Sequence, residues 1–434
     1  MSTSLSAKDH SLHQLLETPN DFLQQLLHRA ITAANPKSCL SDYLPADTSR
    51  PAIVIGAGKA AASMAAALET HWQGPLSGKV VTRYQHSEPC QFIEVHEAAH
   101  PVPDGQGEQL AKTLIASVSD LSENDLVICL LSGGGSSLLG LPAGALSLSD
   151  KQTVNKRLLA SGASIADINT VRKHLSAIKG GRLAKACYPA TLITYAISDV
   201  PGDNPEIIAS GPTVPDSTTA QDALDILARY AIDIPPAVQQ HLQADVCPSV
   251  TAEHPCFQKS EYHIISKPVD ALQAAADYCR GQGIQPLVLG DQIEGEAKDI
   301  AIMHGAIARS IKDHGEPLKP PCVILSGGET SVTVKGRGRG GRNAEFLLAL
   351  ACYLKGEAGI YALAADTDGI DGTEDNAGAT LSPQAWLKGL DLALDADAML
   401  ANNDGYNYFK ALQNLIITGP TRTNVNDFRA ILIK

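Results

Sequence analysis

The stretch AIVIGAGKAAASMAAALETHW, residues 52–72, decides the fold class. It opens with an apolar run of strand length, turns at Gly56 to Gly58, and continues as a helix of small residues. A strand, a tight turn and a helix in this order begin a βα unit, which is typical of a parallel sheet covered by helices. The same alternation recurs over residues 92–121 and before the glycine-rich loop that follows residues 125–131. The first half is therefore predicted to be a Rossmann-like, doubly wound parallel sheet.

A polar segment containing proline and histidine, residues 232–260, separates this pattern from a second series of strands and helices that begins with YHIIS. In that series SVTVKG follows CVILSG after Gly328 and Glu329, which predicts an antiparallel hairpin and hence a mixed sheet. We therefore expect an α/β protein of two α/β domains. The predicted N-terminal Rossmann-like domain covers residues 1–250, and the predicted C-terminal domain with the mixed sheet covers residues 251–434.

Composition excludes several classes of protein. The 434 residues include 34 Lys and Arg against 47 Asp and Glu, a net charge of −13, without a basic tail. Affinity for nucleic acid depends on cations that neutralise phosphates, so a small-molecule partner is favoured over a nucleic acid. No apolar run reaches the length of a membrane span, and the first 20 residues lack a signal-peptide core, which predicts a cytoplasmic protein. The nine cysteines are scattered without a CxxC pair and are predicted to be reduced.

The first glycine turn admits two interpretations. Gly56, Gly58 and Ala61 fit the dinucleotide fingerprint, in which backbone amides and a helix N-terminus face a pyrophosphate. The next strand, however, ends in Arg83 rather than in the acidic residue that would bind a ribose. Lys59 inside the turn suits phosphoryl chemistry better, and a tight turn with a solvated lysine is the third alternative.

A second glycine loop follows the apolar run LVICLL. Ser132 to Ser136 contain three consecutive glycines, which expose amides as an anion-binding nest at the carboxyl end of a strand. The loop lacks the Gly-Lys-Ser/Thr of a Walker A motif, and Ser136 lacks the GxSxG context of a hydrolase nucleophile. The segment HEAAH, residues 96–100, is not expected to bind zinc, because a strand precedes it and prolines follow it.

Two further segments hold charged candidates. The segment INTVRKHLSAIKGGRLA from Ile168 reads as one amphipathic helix on which Arg172 and Lys179 are seven residues apart and share a face. Such a face could bind an anion or simply be solvated. Asp199 follows a buried strand, where a carboxylate can bind magnesium or act as a base towards a hydroxyl.

The segment LSGGETSVTVKGRGRGGRNAEF, from Leu325, is the most informative. Its cations alternate with glycines directly before a helix that starts near Asn343, so side chains, amides and a helix N-terminus can converge on one anion. RNA binding of the RGG type is the competing class, which one short run in an acidic protein disfavours. The next loop, DTDGIDGTED, lacks EF-hand spacing, and its carboxylates suit a metal shared with the phosphates of a nucleotide.

Eight ordered segments together resemble the glycerate 2-kinase family, whose C-terminal part is known as the MOFRL domain. The resemblance implies ATP-dependent phosphorylation of D-glycerate at the 2-hydroxyl with Mg²⁺, in a cleft between two α/β domains, and it places Lys59 and Arg342 on the catalytic lysine and arginine of the family. The sequence departs from the family pattern at Asp366 and Ala344. The segments are GAGKAA, HPVPD, LLSGGGSSLL, INTVRKHLSAIKGGRLA, ISDVPGDNPEIIASGPTVPD, SGGETSVTVKGRGRGGRNAEF, DTDGIDGTEDNAGA and TGPTRTNVND.

Residue patterns and resemblance together predict three sets of site residues. The catalytic set is Lys59, Arg342 and Asp199, and the metal set is Asp199, Asp368 and Asp371. We expect the amides of the second glycine loop and Arg172 to hold the glycerate carboxylate. The set that binds substrate or phosphate is Gly56, Gly58, Ser132, Gly133, Gly134, Gly135, Ser136, Arg172, Lys179, Gly327, Gly328, Glu329, Arg339, Gly340, Gly341 and Asn343.

Two other functions stay open at this point. An NAD(P)H-dependent hydroxypyruvate reductase would use the first glycine turn, with Arg83 on a 2′-phosphate. A sensor of sugar acids without activity would use the same anion pockets and tolerate the loss of Lys59. The expected partners are D-glycerate and ATP, with neither nucleic acid nor membrane, and the sequence leaves a homodimer open.

Overall fold

The computed structural model describes residues 15–434, which divide into two compact units. One unit is Asn35–Ser266, and the other joins residues 15–34 to Lys267–Lys434. The strands are β1 (Ala52–Ala57), β2 (Leu76–Arg83), β3 (Glu94–Ala98), β4 (Leu126–Leu131), β5 (Thr191–Ile197), β6 (Ser260–Ser266), β7 (Gln285–Glu296), β8 (Cys322–Ser331), β9 (Ile360–Asp366), β10 (Gly378–Leu381), β11 (Leu415–Ile416) and β12 (Asp427–Ile433).

Most helices precede or follow strands in the alternation that the sequence predicts. The longest is α12, of 18 residues, and no helix in the described part of the chain is long and apolar enough to span a membrane. The helices are α1 (Pro19–Ala34), α2 (Pro36–Cys39), α3 (Ala61–His71), α4 (Gly105–Ser117), α5 (Gly135–Leu138), α6 (Leu148–Ala160), α7 (Ile165–His174), α8 (Arg182–Cys187), α9 (Ala220–Arg229), α10 (Pro236–Gln243), α11 (Pro268–Gly281), α12 (Ala297–His314), α13 (Arg342–Leu354), α14 (Pro383–Asp391), α15 (Ala396–Ala401) and α16 (Gly405–Leu412).

The first unit contains the predicted doubly wound sheet. Its six strands are all parallel and lie in the order β3-β2-β1-β4-β5-β6. All six residues of β4 are buried, as expected for a central strand covered by helices on both faces. The strand order reverses between β1 and β4, and ligands of such sheets bind at the carboxyl ends of the strands at this switch point. Both glycine loops of this unit begin there.

The division between the units differs from the predicted boundary at residue 250. The apolar run YHIIS, which we took as the start of the second domain, forms β6 and pairs in parallel with β5 of the first sheet. Helix α1 precedes the first sheet in the chain, yet it packs in the second unit against α11, β9 and β12. Both differences arise because tertiary packing, rather than local pattern, assigns these elements to a core.

The second unit has the predicted mixed sheet, in the order β11-β10-β9-β12-β8-β7. The predicted hairpin is wrong, because β8 runs without interruption through Gly328 and Glu329. It pairs in parallel with β7 and antiparallel with β12, which is the last strand of the chain. Gly328 has φ 113° and a Cβ there would lie 2.3 Å from the carbonyl oxygen of Ile293, so this glycine permits a close strand contact rather than a turn.

The predicted single helix from Ile168 is also shorter than expected. Helix α7 ends at His174, and residues up to Gly181 form a turn before α8. Gly180 and Gly181 both have positive φ, which a continuous helix could not accommodate. Arg172 therefore lies on the helix and Lys179 lies outside it, so the two residues do not share a helix face.

A buried histidine links two layers of the second unit. His304 on α12 lies 2.9 Å through Nε2 from Ser326 Oγ on β8, and its Nδ1 is 2.8 Å from the Ile300 carbonyl oxygen. Its ring packs edge-on against Phe346 at 5.3 Å between centroids. Burial lowers the pKa of His304 to about 4, so the folded state keeps the ring neutral at pH values where the unfolded chain protonates it.

We expect the stability contributed by His304 to be complete above about pH 7 and to be lost as the pH falls from about 6.5 towards 4. Between about pH 7.5 and pH 5 the wild type should lose up to about 2 kcal/mol more unfolding free energy than His304→Gln. Urea unfolding at both pH values measures this difference. Equal pH dependence in the two proteins would contradict the assignment, whatever the stability of the variant at one pH.

Candidate active site

Two loops of the first unit are joined by hydrogen bonds at the switch point of the parallel sheet. The amide of Lys59 donates to the Gly133 carbonyl at 2.8 Å, and the amide of Ala60 donates to Ser132 Oγ at 2.9 Å. The amide of Ser132 donates in turn to the Ala57 carbonyl at 3.2 Å. The loop after β1 and the loop after β4 are therefore held together by three hydrogen bonds. These bonds fix the backbone of Lys59, from which its side chain extends.

The glycines of these loops permit this close contact. A Cβ on Gly56 would lie 2.2 Å from the Leu130 carbonyl oxygen, and a Cβ on Gly58 would lie 2.0 Å from Ser132 Oγ. The amides of Lys59 and Ala60 already have acceptors in the second loop. A dinucleotide would need such amides for its pyrophosphate, so the geometry disfavours the fingerprint interpretation.

The second loop also brings together two side chains. A Cβ on Gly134, which has φ 80°, would lie 2.9 Å from His100 Cδ2 and 3.3 Å from Lys59 Cγ. Sequence reasoning considered His100 as a zinc ligand and as the start of the segment HPVPD, and it missed the place of this residue beside Lys59. The available signal was its position two residues after β3, whose carboxyl end lies on the same edge of the sheet as both glycine loops.

A third segment of the first unit reaches the second loop. Ser136 Oγ lies 2.9 Å from Ser210 Oγ, and Ser210 Oγ donates to Asn169 Oδ1 at 3.0 Å. Lys179 donates from Nζ to the Ser136 carbonyl at 2.6 Å. Asp199 is half-buried two residues after the end of β5, at the strand end where the sequence placed it.

In the second unit, Arg342 is the first residue of α13 and is held by three carboxylates. Its Nε donates to Asp427 Oδ1 at 2.7 Å, Nη2 to Asp366 Oδ2 at 2.9 Å, and Nη1 to Glu329 Oε1 at 3.1 Å. Asp427 is fully buried and Asp366 nearly so, whereas the Glu329 side chain is 50% exposed. An exposed pair contributes less than about 1 kcal/mol, so Nη1 is the position at which an incoming anion can most easily replace a carboxylate.

Electrostatics around Arg342 favour its charged form. Burial by itself opposes the charge, but Asp427, Asp366 and Glu329 raise the pKa of Arg342 well above its usual value. Burial would likewise raise the pKa of Asp427, but Arg342 and the fully buried Arg429 hold that pKa below its usual value. Arg342 therefore keeps a fixed orientation and a permanent positive charge.

Asp371, which the sequence analysis places in the metal set, accepts two amides of a helix. Its Oδ1 accepts the amide of Asn343 at 3.0 Å and its Oδ2 accepts the amide of Ala344 at 2.9 Å, so both oxygens bind the first turn of α13. Burial raises the pKa of Asp371 to about 6. Residues 15–434 contain no group of three His, Cys, Asp or Glu side chains arranged to hold a metal. We propose that Asp371 caps the helix and that it positions Arg342.

Four amides of the glycine-arginine loop before α13 have side-chain acceptors and are not available to an anion. Asn403 Oδ1 accepts the amides of Lys335 and Gly336, Asn402 Oδ1 accepts that of Arg337, and Asp404 Oδ1 accepts that of Arg339. Sequence reasoning missed these three acceptors, because an Asn-Asn-Asp run between two short helices resembles an ordinary turn.

The cationic side chains of this loop are exposed, and one of them also makes contacts within the protein. Arg339 pairs with Glu374 and lies over the Tyr406 ring at 4.5 Å, although its side chain is 53% exposed. Lys335 and Arg337 are exposed as well. Gly327 and Gly328 lie within β8 and not in a loop. A Cβ on Gly341 would lie 2.3 Å from Asp371 Oδ1, so this glycine permits the cap on α13.

We expect Asp371→Ala to destabilise the protein by roughly 2–4 kcal/mol, because two buried amides of α13 lose their acceptors. The exposed Asp375 in the same loop accepts only from the Tyr406 hydroxyl, so Asp375→Ala is the matched control and should cost less than about 1 kcal/mol. Urea unfolding of the three proteins measures the difference. A similar cost for both variants would refute the capping role.

Comparison with known proteins shows which family has this architecture. Residues 22–243 match the model described as Domain of unknown function (DUF4147), and residues 322–427 match the MOFRL family. A protein of Agrobacterium vitis that carries the provisional name hydroxypyruvate reductase is 50% identical, over 95% of this chain and 94% of that protein. D-glycerate 2-kinase of Thermotoga maritima is 39% identical, over 93% of this chain and 95% of that enzyme.

A solved structure agrees with these sequence matches. The crystal structure of glycerate kinase from Thermotoga maritima matches with a TM-score of 0.87 and 37% identity, covering 96% of this chain and 100% of that one. The structural match therefore covers both units of this chain, and the two sequences are similar over the same length. The chain joins a DUF4147 domain to a MOFRL domain and belongs to the glycerate kinase family.

Proposed function

We propose that the protein transfers the γ-phosphoryl group of ATP to the 2-hydroxyl of D-glycerate, which yields 2-phosphoglycerate and ADP. The relative from Thermotoga maritima that bears the name D-glycerate 2-kinase supports this proposal. The observation that carries it is Arg342, a permanent cation at a helix N-terminus whose Nη1 faces only a half-exposed carboxylate. Phosphoryl transfer needs such fixed positive charge more than it needs covalent chemistry.

Lys59 is the proposed second cation of the reaction. Its backbone is fixed through hydrogen bonds to the second glycine loop, and its side chain adjoins His100 and Gly134. The arrangement suits a lysine that binds a phosphate oxygen as a point charge. Asp199, at the end of β5 in the same unit, is proposed to orient the 2-hydroxyl or to accept its proton.

ATP and Mg²⁺ are the proposed co-substrate and metal. Mg²⁺ commonly binds through one or two carboxylates together with substrate phosphates, and it seldom needs a cage made of protein alone. A single buried carboxylate such as Asp368 in the second unit fits this pattern, as does Asp199 in the first. Asp371 fits less well, because both of its oxygens accept helix amides.

The reductase is the alternative that the name of the Agrobacterium vitis relative suggests. Two observations argue against it. The amides of Lys59 and Ala60 have acceptors in Gly133 and Ser132, so they are not available to a pyrophosphate. The strand after the turn ends at Arg83, without the acidic residue that would bind the ribose of NAD.

We expect Lys59→Met and Arg342→Met each to lower kcat for D-glycerate by at least roughly 100-fold, because each removes a fixed charge from the transition state. Lys112→Met is the control, since Lys112 is exposed and forms a pair only within α4. Release of ADP at saturating ATP and Mg²⁺ measures the rates. Near-normal turnover of either active-site variant would remove that residue from the proposed mechanism.

The same preparations decide between kinase and reductase. We expect ADP release that depends on both D-glycerate and Mg²⁺, and no oxidation of NADH or NADPH with hydroxypyruvate. Oxidation of either cofactor without ADP release would replace the kinase by the reductase. If D-glycerate binds but neither reaction occurs, and Lys59→Met still binds it, the protein is a sensor.

A further inference from the structure

Two lysines of the first unit contact the segment that follows β4, and the charge of an arginine on α7 acts on both of them. Lys179 donates from Nζ to the Ser136 carbonyl at 2.6 Å, and Lys151 donates from Nζ to the Leu141 carbonyl at 3.0 Å. Arg172 on α7 donates from Nε to Asn155 Oδ1 at 2.6 Å, and Asn155 lies one helical turn after Lys151 on α6. We name Lys151, Arg172 and Lys179 the cation cluster.

No member of the cation cluster forms an ion pair with a carboxylate among residues 15–434. The neighbouring Lys173 is paired, because its Nζ lies 2.7 Å from Asp216 Oδ1. The buried Arg182 also lacks a carboxylate partner in the described part of the chain, but its guanidinium donates to the carbonyls of Lys173, Lys179, Cys247 and Pro248. Each member of the cation cluster instead donates to a single oxygen.

The positive charges of the cation cluster are unfavourable where they lie, because burial and mutual repulsion both oppose them. Burial and the charge of Arg172 lower the pKa of Lys151 to about 7, and burial with the charges of Lys151 and Arg172 lowers the pKa of Lys179 well below its usual value. Buried like charges without a partner are unfavourable, and an anion between them would relieve both the desolvation and the repulsion.

Backbone strain beside the cation cluster is a second, independent observation. Ala209, Ser210 and Gly211 all have left-handed backbone angles, with φ of 51°, 62° and 59°. A non-glycine residue in this region costs about 1 kcal/mol or more, and such strain concentrates where a side chain must be held for function. Here it presents Ser210 Oγ to Ser136 Oγ at 2.9 Å, next to the carbonyl that Lys179 contacts.

We propose that the cation cluster binds the carboxylate of the acceptor substrate, and that Lys151 makes the enzyme select hydroxy acids over neutral polyols. The inference rests on the proposed function, which requires a hydroxy-acid acceptor. Lys179 is 2% exposed, whereas Lys151, Arg172 and Ser136 are half-buried and remain accessible to a ligand. The Ser136 and Ser210 hydroxyls lie where they can accept or donate to the hydroxyl groups of the same ligand.

The test compares Lys151→Met with Lys156→Met, which removes an exposed lysine from the same helix. We expect Lys151→Met to raise KM for D-glycerate roughly 10- to 100-fold, the effect of losing a hydrogen bond between charged groups, and to leave KM for ATP within about twofold. Lys156→Met should change neither constant, and Lys151→Arg should recover part of the loss.

Selectivity gives a readout that a merely structural role would not change. Glycerol lacks the carboxylate, so the ratio of kcat/KM for D-glycerate over glycerol should fall in Lys151→Met by the same factor as kcat/KM for D-glycerate. An unchanged ratio would overturn the proposal, even if the variant is less active. A rise in KM for ATP alone would overturn it in favour of a nucleotide phosphate at this position.

Binding without catalysis separates this inference from the proposed function. D-Glycerate should raise the melting temperature of the wild type and of Lys156→Met without ATP, and it should raise that of Lys151→Met much less. If the wild type binds D-glycerate through Lys151 but does not phosphorylate it, the proposed function fails and the carboxylate site stands. If the wild type phosphorylates D-glycerate and Lys151→Met binds it normally, only the carboxylate site fails.

Discussion

The second unit depends on the contact between Arg342 and Asp427. Asp427 is fully buried and accepts hydrogen bonds from Arg342, Asn343 and Arg429. Loss of Arg342 or of Asp427 would therefore leave the charge of the other residue with less compensation in the interior. The register of the sheet creates this contact. As the first residue of β12, Asp427 lies opposite Gly328 of β8 on one side and Asp366 of β9 on the other. The antiparallel insertion of the last strand is what brings these carboxylates to Arg342.

In the first unit the corresponding constraint is the contact between two loops at the switch point. Parallel strands β1 and β4 end side by side, so the loops that follow them start at one edge of the sheet. Glycines at 56 and 58 allow the loops to approach until amides of one meet oxygens of the other. The result is a rigid support for Lys59. The same sequence motif in a dinucleotide-binding protein would leave those amides to the ligand.

Local pattern predicted a large part of this architecture. The doubly wound sheet, the helix at Arg342 and the glycine turns at Lys59 and Ser132 follow from hydrophobic runs and turn residues that are legible over short windows. Three features were not legible. Strand β6 follows a polar segment, Gly328 resembles a turn residue but lies inside a strand, and Gly180 ends a pattern that looks helical. For β6 and Gly328 a contact distant in sequence decided the conformation, and for Gly180 its own positive φ did.

The site shows the same limit. Residue type and motif single out Arg342 and Lys59 as candidates, but Asp427 reads as the polar start of a strand, and Asn402 to Asp404 read as a turn. Lys151 reads as one of several lysines on an amphipathic helix, and only the contact of its Nζ with the Leu141 carbonyl and its position near Arg172 distinguish it. Roles that depend on what surrounds a residue cannot be obtained from residue type and spacing alone.

The most direct test of the central claim is the position of the phosphoryl group on the product. Purified protein is incubated with D-glycerate, ATP and Mg²⁺, and the product is passed to enolase with and without phosphoglycerate mutase. Enolase accepts 2-phosphoglycerate, so the account predicts a signal without mutase. A signal that requires mutase would show phosphorylation at the 3-hydroxyl, and it would contradict the placement of the acceptor that we propose.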